Sequence, residues 1–307
     1  MAAYTWTLDA GSGSDDHLVI ISSNGEIAVY RGSDPSSATD WSVIGVFTMG
    51  RPLGRRCAVK FGGDLAVNTY EGVYPLGKGL LSSSVDRRVA LTDKIQNSVS
   101  QAASTLGANF GWQVCLNADD NMLILNVPYG NGANYQYAQN TITGAWTVFS
   151  GWDAQVWLKA STGLYYGGST FVNKAWTGNA DITVPITADV CQSFGYFGTK
   201  AYNKYFTMIR PYLMTGGSPS ILYALNTDYE LTEPTGALSY TAPTGMVLGS
   251  MVWGSMVWGG GLEPIRSWNT VGAVANSAAI RLKVLNGGAE FRFTNTDFLY
   301  QKSNSVL

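Results

Sequence analysis

The chain is poor in charge, in histidine and in cysteine, and each shortage closes a route to function. Only 13% of its 307 residues are charged, against roughly 25% in an average soluble domain. With 19 basic and 21 acidic residues and a net charge of −2, the balance argues against a nucleic-acid binder whose grip rests on neutralising phosphates. A zinc site or a His-based triad could draw only on His17, the single histidine, and no Cys or Ser motif stands near it. Cys57, Cys115 and Cys191 are odd in number, far apart and set in apolar runs, which predicts buried free thiols and a reducing site of synthesis. No run approaches the roughly 18 to 20 apolar residues of a membrane span. The opening Met1 to Trp6 lacks a basic region followed by an apolar one, so synthesis in the cytoplasm is expected. There is no GxxxxGK[ST] loop, GxSxG elbow or strand-linked GxGxxG. Asp15, Asp16 and Asp119-Asp120-Asn121 lack calcium-loop spacing and read as turn formers. No catalytic residue, cofactor or metal ligand emerges, and the expectation is a protein that is not an enzyme.

What the chain has instead is glycine, tyrosine and tryptophan, 36, 17 and 10 of them, within a 46% apolar composition. That mixture suits tight turns, strands and large contact surfaces, and with so little charge it predicts a surface partly covered by partners. Residues 17 to 49 read as strand, Ser23-Asn24-Gly25 turn, strand, polar loop and strand, and Asn-Gly between alternating runs is a strong hairpin signal. The same grammar returns at Cys57 to Leu76, at Trp112 to Phe149 and at Gln155 to Trp176. Successive copies recur at about forty residues, the length of a propeller blade.

One helix interrupts the repeats. Leu91, Ile95, Val99, Ala102 or Ala103, and Leu106 recur at three- and four-residue steps, predicting a helix over Val85 to Leu106, capped by Ser82 to Ser84 and ended by Gly107. It either packs on its own domain or forms an arm that contacts a neighbouring subunit or lines a channel. After Asp181 the rhythm gives way to longer strands at Ile182 to Phe194, Tyr205 to Met214, Ser220 to Thr227, Ile280 to Leu285 and Glu290 to Thr294. The predicted fold is therefore all-β: propeller-like repeats over residues 1–181 with one inserted helix at 85–106, then a β-sandwich-like domain over 182–307.

The candidate interface residues are few. Arg51, Arg55 and Arg56 form the densest positive cluster, Leu91, Ile95 and Val99 line the helix, and Trp253 and Trp258 end a tandem Gly-Ser-Met-Val-Trp repeat that forms either a docking edge or a buried strand and turn. Arg87 and Arg88 stand near Asp86 and Asp93 on the predicted helix, where pairing would mute their pull on phosphate. An aromatic-rich propeller that binds or cleaves glycans at a host surface is the alternative. The segment Thr141 to Trp146 only faintly resembles a sialidase box, because the Asp is absent and the Gly to Trp spacing is short.

The runs Trp6 to Gly13, Gly25 to Pro35 and Gly50-Arg51-Pro52-Leu53-Gly54-Arg55-Arg56 resemble structural proteins of tailed bacteriophages. The likeness continues at Leu91 to Gln96, Asn140 to Trp146, Lys174 to Gly178 and Phe206 to Pro211, and covers about two thirds of the chain. These stretches look like the propeller region of tail nozzle proteins, which stabilise packaged DNA. The resemblance implies a virion tail component in a homo-oligomeric ring, commonly a hexamer, below portal and adaptor proteins. Its channel would hold the genome and then conduct the double-stranded DNA without sequence specificity. Four blades are few for a closed propeller, so the remaining blades come from later strands or from another chain, or the protein is a shortened relative.

Overall fold

In the computed structural model, residues 1–7, 16–81, 87–130, 133–181, 184–240, 262–285 and 289–306 are described. The chain divides into two compact units, Met1–Trp176 and Thr177–Leu307. Among the described residues it is built almost wholly from antiparallel sheets with little helix.

Each of the four repeats forms a meander. The first sheet runs in order through β1 (Ala2–Trp6), β2 (His17–Ile21), β3 (Glu26–Arg31) and β4 (Ser42–Thr48). The second is β5 (Ala58–Phe61), β6 (Asp64–Thr69) and β7 (Gly72–Pro75). The third is β8 (Gln113–Asn117), β9 (Met122–Gly130), β10 (Ala133–Asn140) and β11 (Trp146–Ser150). The fourth is β12 (Val156–Ala160), β13 (Gly163–Gly167) and β14 (Val172–Lys174). β1 lies outside the repeat read from the sequence, though its alternating Ala-Tyr-Thr-Trp carried a strand signal.

The two-residue period of a strand lets an inner sheet face two neighbours. Leu65 and Val67 of β6 join Val19 and Val29 in a first core, while Ala66 between them joins Val114 and Leu125 in a second. In the third sheet, Val114, Leu123 and Leu125 enter that second core. Their sequence neighbours Cys115, Met122 and Ile124 enter a third core with Trp157, Leu164 and Tyr166 of the fourth sheet. The four meanders are thus stacked face to face in chain order. This is why β6 and β9 read as continuous apolar runs rather than alternating ones.

The turns carry the expected chemistry. Gly25 adopts φ +91°, and a Cβ there would lie 2.2 Å from the Met49 carbonyl oxygen, so only glycine fits the turn. Asn121 takes the left-handed conformation, φ 51°, between β8 and β9.

The predicted helix is shorter than its periodicity suggested. After α1 (Leu76–Leu81) come two 3-10 turns, Arg87–Val89 and Asp93–Ile95, and only Gln96–Leu106 is α-helical (α2). The backbone around Leu91 is committed elsewhere. Its N–H donates to the Val73 carbonyl, and its carbonyl accepts Gln139 Nε2 at 3.2 Å and Trp146 Nε1 at 3.1 Å. A continuous helix would need that same carbonyl for Ile95. The apolar spacing survives because Leu91, Ile95, Val99, Ala102, Ala103 and Leu106 all pack on the second core of their own unit.

In the second unit, β15 (Ala180–Asp181) and β16 (Val184–Pro185) form a small ribbon. One sheet orders β17 (Thr187–Cys191), β23 (Ala278–Leu285), β19 (Ser220–Thr227) and β20 (Gly236–Ala237). The other is organised on β18 (Tyr202–Thr215), which pairs along its length with β24 (Phe291–Val306). It also pairs with β22 (Asn269–Ala275) and β21 (Glu263–Ile265). Ile209 and Leu213 of β18 share a core with Ile221, Ile280 and Leu282 of the facing sheet, a sandwich arrangement. The predicted apolar strand from Ile182 to Phe194 is instead divided between β16 and β17, and Ile182 lies outside the described residues. β17 is an edge strand exposed at every position. Cys191, expected to be buried, is therefore an exposed thiol, whereas Cys57 and Cys115 are buried as expected.

Candidate interaction surfaces

The loop between the first two sheets is tied at several points. Tyr70 N–H donates to the Arg51 carbonyl at 2.9 Å, Leu53 N–H to Asn68 at 3.1 Å, and Val114 N–H to Arg56 at 3.3 Å. Leu53 itself is fully buried. Tyr4 donates its hydroxyl to the Arg55 carbonyl at 2.9 Å and accepts Ala58 N–H at 3.3 Å, and burial pushes its pKa up to about 12. This loop splays its cations onto different neighbours. Arg51 lies over the Tyr70 ring at 5.3 Å and Arg55 is exposed. Arg56 lies over Phe110 at 5.1 Å and donates to the Gln155 carbonyl at 2.7 Å. Burial lowers the Arg56 pKa, partly offset by Tyr4.

Phe110 and Gln155 also border a hollow of about 230 Å³ with Asn109, Pro128, Gly130, Ala133 and Asn134. That is below the roughly 300 Å³ at which small-molecule pockets begin. Among the described residues no group of three or more His, Cys, Asp or Glu could hold a metal ion, and no helix is long and apolar enough to cross a membrane. His17 stacks at a tilt on Trp6, with ring centroids 5.7 Å apart.

The other predicted interface residues are dispersed. Val99 is fully buried, and Leu91 and Ile95 are half-buried against the same core, so this stretch serves its own unit. Trp253 and Trp258 lie outside the described residues, as does Asp86. Arg87 and Arg88 stand in a 3-10 turn, where the residue steps of an α-helical face do not apply.

Sequence reasoning missed two features. One is a polar seam inside the third core. Fully buried Asn126 donates to the Gly111 and Ala154 carbonyls at 2.8 and 2.9 Å, and accepts Gln136 Nε2 at 2.9 Å and Trp157 Nε1 at 3.0 Å. Gln113 exchanges two further bonds with the Trp157 backbone. The signal was present as amides in the middle of apolar strands, which must be bonded if buried. The seam fastens the fourth sheet to the third.

The second feature is at the ends of the stack. On the first sheet, pairing places Leu18 opposite Tyr30, Ile20 opposite Ala28, Ala28 opposite Val46, and Tyr30 opposite Val43. These face away from the first core, and Val43 and Val46 are 52% and 68% exposed. On the fourth sheet Val156 and Leu158 of β12 and Val172 of β14 share the face turned away from Trp157, at 40%, 62% and 75% exposure, with Tyr165 among them. Among the described residues, both outer sheets of the first unit thus carry exposed apolar side chains, while Trp41 stacks on Tyr30 of the first with ring centroids 5.8 Å apart. Compared with models of protein families and with curated proteins, the chain matches none.

Proposed function

We propose that the chain is a structural subunit of a bacteriophage tail, a nozzle or tail-tube ring that retains the genome and then lets it pass. The observation that carries the assembly part of this reading is the open stack. Four meanders cover one another in series, and among the described residues Val43 and Val46 on the first and Val156, Leu158 and Val172 on the fourth are exposed. A surface with so little charge is suited to permanent neighbours. The assignment to a phage tail rests on the sequence resemblance, strongest before residue 215. A near-neutral subunit also suits a conduit, because each phosphate gripped by Lys or Arg adds an attraction that would slow passage.

The reading predicts copies of the chain arranged as a ring around the axial channel of intact particles, beside portal and adaptor proteins. Electron cryomicroscopy combined with mass spectrometry of particles assembled with this chain tests it. A chain absent from the particles, or saccharide turnover abolished by replacing one pocket carboxylate, would favour the glycan-directed alternative instead.

A further inference from the structure

The two neighbours of β23 are held to it by different means. On one side β19 pairs along the whole of β23, and Ile221, Tyr223 and Leu225 pack with Ile280, Leu282 and Val284 in the sandwich core. On the other side β17 pairs with Arg281 to Leu285, which places Ala188 opposite Val284 and Val190 opposite Leu282. Opposed residues share a sheet face, so Ala188 and Val190 are on the core side. Neither joins that core, and Val190 stays 39% exposed. Among the described residues, β17 contributes no side chain to a hydrophobic core of its unit.

What holds β17 besides its backbone ladder is charge. Arg281 donates to the Asp189 carboxylate twice, from Nε at 2.9 Å and from Nη2 at 2.6 Å, a two-pronged pair. Arg281 Nη2 also lies 3.1 Å from Glu233, and Lys283, opposite Asp189 in the register, bonds Glu233 as well. Cys191 lies opposite Arg281, and its sulfur accepts Asn226 Nδ2 at 3.4 Å. Asp189, Cys191, Glu233, Arg281 and Lys283 are thus the titratable and charged groups around the strand. The hydrogen bond from Arg281 holds the Asp189 carboxyl below its ordinary range, and that from Lys283 does the same for Glu233. Just beyond the strand the chain is anchored again: Gly195 and Ala278 exchange two backbone bonds, and Phe197 packs on Phe206, Phe298 and Tyr300.

We propose that β17 is a releasable strap: it leaves β23 as a unit, hinged ahead of Gly195, while the rest of the sandwich stays folded, and the cluster of Asp189, Arg281, Glu233 and Lys283 is its catch. Segments with few buried apolar contacts open locally at lower cost than the core, and release uncovers the backbone edge of β23. Carboxyls lowered by folding stabilise above their ordinary pKa of about 4 and lose that contribution as pH falls through the lowered values. The catch is therefore closed at neutral pH and opens in acid. The strap is independent of the tail assignment.

Hydrogen exchange of the full chain, read by mass spectrometry as protection relative to unstructured peptide, tests it. At pH 7 β17 should be at least about tenfold less protected than β19. D189A removes the two-pronged pair from an exposed strand, and should lower β17 protection by a further factor of about five while changing β19 by less than about twofold. The wild type needs no substitution for the acid arm: between pH 7 and pH 3, protection should fall in β17 before it falls in β19. A β17 as well protected as β19 at both pH values would overturn the strap. D189A loosening β17 and β19 alike, or neither, would overturn the catch and with it the proposal. None of these outcomes bears on whether copies of the chain form a ring.

Discussion

At the scale of single residues, the structure separates side chains that look alike in sequence. The three cysteines all sit in strand-like runs, yet Cys57 and Cys115 are buried between sheets and Cys191 lies on an exposed edge strand. Burial raises the Cys57 thiol and pushes Cys115 up to about 11, the latter partly offset by Lys159. A thiol-reactive chromophore should therefore label one cysteine in the folded protein and all three in denaturant, and rapid native labelling of Cys57 or Cys115 would contradict the packing. Asn126 is the residue whose loss should be felt most in the first unit. N126A would leave Trp157 Nε1 and two carbonyls without their partner, at a cost of about 3 kcal/mol. Chemical denaturation monitored by tryptophan fluorescence measures it, and a loss below about 1 kcal/mol would mean that the seam is not stabilising. Lys204 plays a comparable part in the second unit, donating from a fully buried ammonium to the carbonyls of Thr199, Tyr202 and Asn276 at 2.6, 3.0 and 2.8 Å.

At the scale of elements, the hairpins were legible and the helix boundary was not. Asn24-Gly25 and the glycines that follow specify turns through backbone conformation, a local property that sequence carries directly. G25A should destabilise the first sheet by about 2 kcal/mol in equilibrium unfolding, from the strain of a positive φ. The helix start was illegible because it is decided by Gln139 and Trp146, which take the Leu91 carbonyl from strands far along the chain. The same holds for the end faces: alternation in β4 and β12 shows that a strand has two faces, but only the stacking order says which is left open. In the second unit, ion pairs join neighbouring strands. Asp297 is held below the usual carboxylate range by hydrogen bonds from Arg210 and then Tyr212 across β18 and β24. Asp189 is lowered chiefly by its bond from Arg281, and Glu233 by its bond from Lys283. Carboxyls lowered by folding stabilise above their ordinary pKa of about 4, and that contribution is lost as pH falls through the lowered values. Protection against hydrogen exchange in β18 and β24 should fall below about pH 4, and D297N should weaken that dependence. Protection that stays level to pH 2 would contradict the coupling.

At the scale of the whole molecule, the four meanders and the sandwich account for the chain's composition. Glycine supplies turns, aromatic residues fill the spaces between sheets, and the shortage of charge is matched by exposed apolar residues such as Val46 and Leu158. A conduit built from such subunits should bind duplex DNA weakly at physiological salt and without sequence preference, and tight or salt-resistant binding would be incompatible with it. The closed ring proposed for these subunits is tested by reconstructing the full chain with electron cryomicroscopy, at micromolar concentration and in intact particles. A cyclic oligomer with an open axial channel is expected in both. A monomer in solution together with particles that contain no ring of this chain would contradict it.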